Sequence, residues 1–81
     1  MIETIIKIKL LKLKEEYEAV SYQIRSLKEE IRINEKTLRN YPTPKLRRFV
    51  SWQKAQLIGL QRNARKIEKE FDETKEKLKK T

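Results

Sequence analysis

The chain has 81 residues, with 21 Lys or Arg against 12 Asp or Glu, a formal charge of +9 at neutral pH. It contains no Cys, no His, one Gly and two Pro, while 41% of its residues are charged and 37% apolar. This composition excludes disulfides, thiol or imidazole catalysis, zinc sites and glycine-rich phosphate loops, and it suits one small domain made of long helices.

The first stretch reads MIETIIKIKLLKLK. Lys7, Lys9, Lys12 and Lys14 break its apolar run, which a signal peptide would keep whole. No stretch approaches the roughly 20 apolar residues of a membrane span. A soluble protein without a membrane partner is expected, cytoplasmic or nucleoid-associated. The Lys7-Ile8-Lys9-Leu10 alternation also suits a strand, and the segment as a whole suits a basic amphipathic helix at a membrane surface. A longer pattern claims the same residues.

From Ile6 the apolar residues fall at spacings of 4 and 3: Ile6, Leu10, Leu13, Tyr17, Val20, Ile24, Leu27, Ile31, Leu38 and Tyr41, with Asn34 the one polar member. Sustained over five heptads, this is a coiled-coil seam. Leu10, Tyr17, Ile24, Ile31 and Leu38 take heptad position a, and Ile6, Leu13, Val20, Leu27 and Asn34 take d. The predicted helix covers 3–39. A turn follows over 40–44, Asn40-Tyr41-Pro42-Thr43-Pro44, where two prolines remove backbone donors and force extended geometry on their predecessors. Thr43 fits an N-cap and Pro44 a first helical position.

The second predicted helix, 45–79, carries its own seam. Val50, Leu57, Ala64, Phe71 and Leu78 are a, and Leu46, Gln53, Leu60, Ile67 and Thr74 are d. Folded back so that facing numbers sum to 84, every a meets a d: Leu38 with Leu46, Ile31 with Gln53, Val20 with Ala64, Leu13 with Phe71 and Ile6 with Leu78. The expected fold is all-α, a long antiparallel helical hairpin within residues 1–81 that dimerises into a four-helix assembly. Asn34 and Gln53 sit one layer apart near the turn. They either fix the register or mark a wet end of the seam.

The charge is unevenly placed. No acid lies between Glu35 and Glu68. In an antiparallel pair the e and b positions of both helices share one flank. That flank holds Lys7, Lys14, Arg25, Lys28, Arg32, Arg39, Arg47, Lys54, Arg65, Lys75 and Lys79 against Glu18, Glu35, Glu68 and Asp72, a net +7. The opposite g/c flank is near neutral and gathers Ile2, Ile5, Ala19, Ile33, Phe49, Trp52 and Gly59. Aromatic anchors on a low-charge face suit a helix-packing interface, so Ile2, Ile5, Ile33, Phe49, Trp52 and Gly59 are the candidate dimer or partner contacts.

Cations along a rigid rod neutralise phosphates and release counterions. The expected function is therefore nucleic-acid binding in a regulatory role, with DNA favoured and both duplex DNA and structured RNA fitting the charge as partners. At the turn, Arg39, Lys45, Arg47, Arg48 and Lys54 would hold phosphates. Arg62, Arg65 and Lys66 would extend the grip along the second helix, and Arg25, Lys28 and Arg32 along the first. The alternative is a protein-interaction module, an adaptor, inhibitor or assembly factor, that offers Ile33, Tyr41, Phe49 and Trp52 to a partner. An enzyme is not expected, because the carboxylates stand on solvated helix faces and nothing shapes a pocket. No metal or cofactor site is expected either. In architecture alone the chain resembles plasmid copy-control hairpins, the coiled-coil arm of seryl-tRNA synthetases and a helical large-subunit ribosomal protein. No residue role follows from that resemblance.

Overall fold

A computed structural model describes residues 1–81. Two helices account for almost all of it: α1, Ile2–Asn40 (39 residues), and α2, Pro44–Lys80 (37 residues). At about 1.5 Å per residue, 39 residues extend about 59 Å, and the molecule measures 59 × 14 × 14 Å. It is a rod one helix pair thick. Lys9 meets Glu70 at one end and Glu35 meets Lys54 near the other, so the helices run antiparallel.

The turn follows from local chemistry. Tyr41 leaves the helix (φ −136°, ψ 77°), although its N–H still donates to the Thr37 carbonyl at 2.8 Å. Thr43 is extended, and its Oγ1 accepts from the Leu46 N–H at 3.2 Å, satisfying one of the donors a helix start leaves orphaned. Pro44 at the first helical position has no donor to lose. Both helices run one residue past the expected bounds at each end.

Every a and d position of the two helices from Ile6 to Leu78 is buried or half-buried except Tyr17, which is 39% exposed, while Tyr41, where the series runs out into the turn, is 71% exposed. A phenol is longer than the aliphatic seam residues and keeps its polar tip wet by leaning out of so narrow a core. Leu13, Val20, Ala64 and Ile67 form the buried centre, with Ile24 and Phe71 packed on it. Two of the pairs that the 84 register brings together, Val20–Ala64 and Leu13–Phe71, lie in this cluster.

The polar layer is bonded, with Gln53 buried and Asn34 half-buried. Gln53 is 3% exposed. Its Oε1 accepts from Asn34 Nδ2 at 2.9 Å, and its Nε2 donates to Glu30 Oε2 at 3.3 Å. Of the two sequence-level readings, the wet seam end is the one this geometry argues against. At the other end Thr74 is equally buried and donates its hydroxyl to the Glu70 carbonyl at 2.7 Å, so it needs no partner across the seam. No helix is long and apolar enough to cross a membrane.

Candidate nucleic-acid interface

The cross-helix ion pairs establish which positions share a flank. Glu35 and Lys54, both e, lie 3.2 Å apart, while Lys9 and Glu70, both g, lie 3.6 Å apart on the other side. Seven of the eleven basic candidates therefore share the e/b flank: Arg25, Lys28, Arg32 and Arg39 from α1, and Arg47, Lys54 and Arg65 from α2. The remaining four do not join them. Arg48 and Arg62, at f, stand on the outer side of α2. Lys45 and Lys66, at c, belong to the opposite flank. The cations along α2 thus occupy more than one face, because consecutive residues on a helix are spread around its axis.

Two of the seven are already engaged. Arg32 donates to both Glu29 oxygens, at 3.0 and 2.6 Å. That hydrogen bond holds the Glu29 carboxyl below its ordinary range and raises the Arg32 guanidinium. Lys54 is held by Glu35. Arg25, Lys28, Arg39, Arg47 and Arg65 form no ion pair with any acid. From Arg25 to Arg39 the flank runs 14 residues, about 21 Å or some six base-pair steps. Beyond Arg65, towards the open end, Glu18, Glu68 and Asp72 dilute the charge. The basic track thus occupies the half of the rod next to the turn.

At the turn the flank is concave. Arg32, Arg39, Arg47 and Lys54 ring a recess of about 460 Å³, with Glu35, Ser51, Leu38, Pro42 and Val50 completing its wall. The first turn of α2 carries no acid. Lys45 and Arg47 stand there instead, against a helix dipole that favours anions.

The g/c flank differs in kind. Phe49 and Trp52 stack with centroids 5.8 Å apart and planes 26° apart, yet remain 46% and 56% exposed. Ile33, Ile2 and Ile5 are likewise exposed on this side. A Cβ at Gly59 would meet nothing within 4 Å, so no contact inside the chain accounts for a glycine in the middle of a helix. The expectation that off-seam apolar residues gather on this flank holds only in part. Ile8, Leu11, Tyr22 and Ile58 are also exposed, Ile8 and Tyr22 at f and Leu11 and Ile58 on the basic flank. A count of seam positions does not draw attention to them. The recess escaped the sequence too, because it depends on how closely the helix ends approach at the turn.

The sequence matches no protein-family model, and no curated protein or solved structure matches it.

Proposed function

We propose that this chain is a small nucleic-acid-binding protein, DNA-binding and regulatory, that grips phosphates with the turn-proximal half of its e/b flank. The observation that supports this reading is the row of unpaired cations, Arg25, Lys28, Arg39, Arg47 and Arg65, on one side of a rigid rod. Each could equally have faced an acid in this Glu-rich chain, as Arg32 and Lys54 do. A row of cations held apart by helix geometry presents fixed charge to a phosphate backbone with little ordering to do on binding.

The g/c flank supports dimerisation as part of the same reading. A face 59 Å long and 14 Å wide covers about 800 Å², the area each partner contributes to a standard interface. Its stacked aromatics, exposed isoleucines and open Gly59 fit helix-on-helix contact, and a dimer would leave both basic flanks facing outward. The stacked Phe49–Trp52 pair also suits a protein-interaction module, in which this surface takes a different partner.

Fluorescence anisotropy of labelled duplex DNA and structured RNA, titrated at low and moderate salt, separates the two. Phosphate binding gives micromolar or tighter affinity with a log–log salt slope of about −4 to −5, for five or so phosphates. Absence of binding to either at low salt would refute the nucleic-acid reading and leave the aromatic face as the site.

A further inference from the structure

We infer that the recess at the turn is a subsite for a phosphomonoester, the dianionic phosphate found at the 5′ end of a nucleic-acid strand. The inference rests on the nucleic-acid reading above and sharpens it.

The charge in the recess is the first ground. Four cations and one acid line it, Arg32, Arg39, Arg47 and Lys54 with Glu35. Glu29 neutralises Arg32 from outside and Glu35 neutralises Lys54 from within. Arg39 and Arg47 remain, one from each helix, with no carboxylate on either. Their residual charge of two matches a monoester, which carries about −1.5 to −2 at neutral pH. An internal diester carries only one charge.

The shape is the second ground. The recess lies at the turn, where Pro42 lines it, and it is backed by Val50 and Leu38, which are buried and half-buried. The rod ends at this turn, so a strand whose end sits in the recess can keep the rest of its backbone on the flank. The planar forks of Arg39 and Arg47 suit two-oxygen contact with a phosphate, and the Ser51 hydroxyl in the same wall offers a further donor. From the recess the track through Lys28 and Arg25 leads away along the flank, where the following diesters would lie. The rod would thus read the end of a strand with its turn and the adjoining backbone with its flank.

The test compares two short DNA duplexes that differ only in bearing a 5′-phosphate or a 5′-hydroxyl, with the dye on the 3′ ends. The full chain should bind the phosphorylated duplex about tenfold more tightly, as one or two charge-assisted hydrogen bonds provide. Arg39→Gln with Arg47→Gln should abolish the preference while Arg25, Lys28 and Arg65 still bind the hydroxyl duplex. Lys45→Gln with Lys66→Gln removes the same charge from the other flank and should preserve it. A preference that persists in the Arg39/Arg47 variant overturns the subsite. Equal affinity of the unmodified chain for the two duplexes overturns the subsite and leaves the nucleic-acid reading standing. Failure to bind either duplex, or structured RNA, overturns both. A free nucleoside monophosphate added as competitor distinguishes the sources of the same chemistry. Displacement at concentrations close to those of the duplex supports a free nucleotide, and a requirement for a hundredfold more supports the strand end.

Discussion

Replacing Asn34 by Ala would isolate the one polar layer of the seam. Gln53 is 3% exposed, and its Oε1 has the Asn34 amide as its partner at 2.9 Å. Without Asn34 that oxygen stays buried and unbonded, a loss of about 1–3 kcal/mol. Total stability for a chain this size is about 4–12 kcal/mol, so the midpoint should move visibly. Gln53→Leu removes the buried amide itself. Asn34 is only half-buried and Glu30 exposed, so both recover their hydrogen bonds from water, while leucine extends the apolar contact beside Ile31. That variant should match or exceed the unmodified chain. Asn34→Leu with Gln53→Leu should exceed it by about 1–2 kcal/mol, because apolar replacement of a buried polar pair removes its desolvation penalty. Urea unfolding followed by far-UV circular dichroism ranks the four chains. A loss under about 0.5 kcal/mol for Asn34→Ala, or a double variant less stable than Asn34→Ala, would refute the account of a bonded layer.

Further outcomes follow from single contacts. Thr43→Ala removes the cap on α2 and should lower stability by about 1 kcal/mol in the same urea assay. Lys45→Glu places an acid where the dipole of α2 favours one and should raise stability by about 0.5–1 kcal/mol, an effect that fades with added salt, while leaving most of the nucleic-acid affinity in place. Trp52→Ala should shift the mass measured by light scattering from dimer towards monomer, and an unchanged mass would refute the g/c interface. Glu29 has a lowered pKa in the folded chain, so its bond to Arg32 contributes above the unfolded carboxylate range and is lost as pH falls through the folded value. Both groups are fully exposed, so the effect on unfolding should be slight. The clearer readout is NMR titration of the Glu29 carboxyl, whose midpoint should lie below the ordinary carboxylate range.

The seam was legible in the sequence because an antiparallel pair has only one way to bury residues spaced 4 and 3 apart. Leu13, Val20, Ala64 and Ile67 find each other at the expected register, and Thr43 caps α2 because a Thr-Pro pair after Pro42 has little other use. The flanks were legible for the same reason, since e faces e and g faces g once the register is set. The partners of individual cations were harder. Arg32 bonds Glu29 three residues away, a spacing any helix offers, but several such spacings in this chain go unused. The cations at 45, 48, 62 and 66 are close in sequence to those at 47, 54 and 65, yet they diverge around the helix. The recess needed the side chains of both helix ends brought together at the turn, which no spacing rule contains.

The most direct test of the central claim compares two charge-reversed variants with equal net charge. One carries Arg25→Glu, Lys28→Glu and Arg47→Glu on the e/b flank. The other carries Lys9→Glu, Lys45→Glu and Lys66→Glu on the g/c side. The salt slope of duplex binding is measured for each beside the unmodified chain. The account predicts that the first variant loses binding at moderate salt, while the second keeps most of the affinity and a slope near the original, about −4 to −5. Equal losses in the two variants would mean that binding follows net charge alone, and the basic flank would not be the interface.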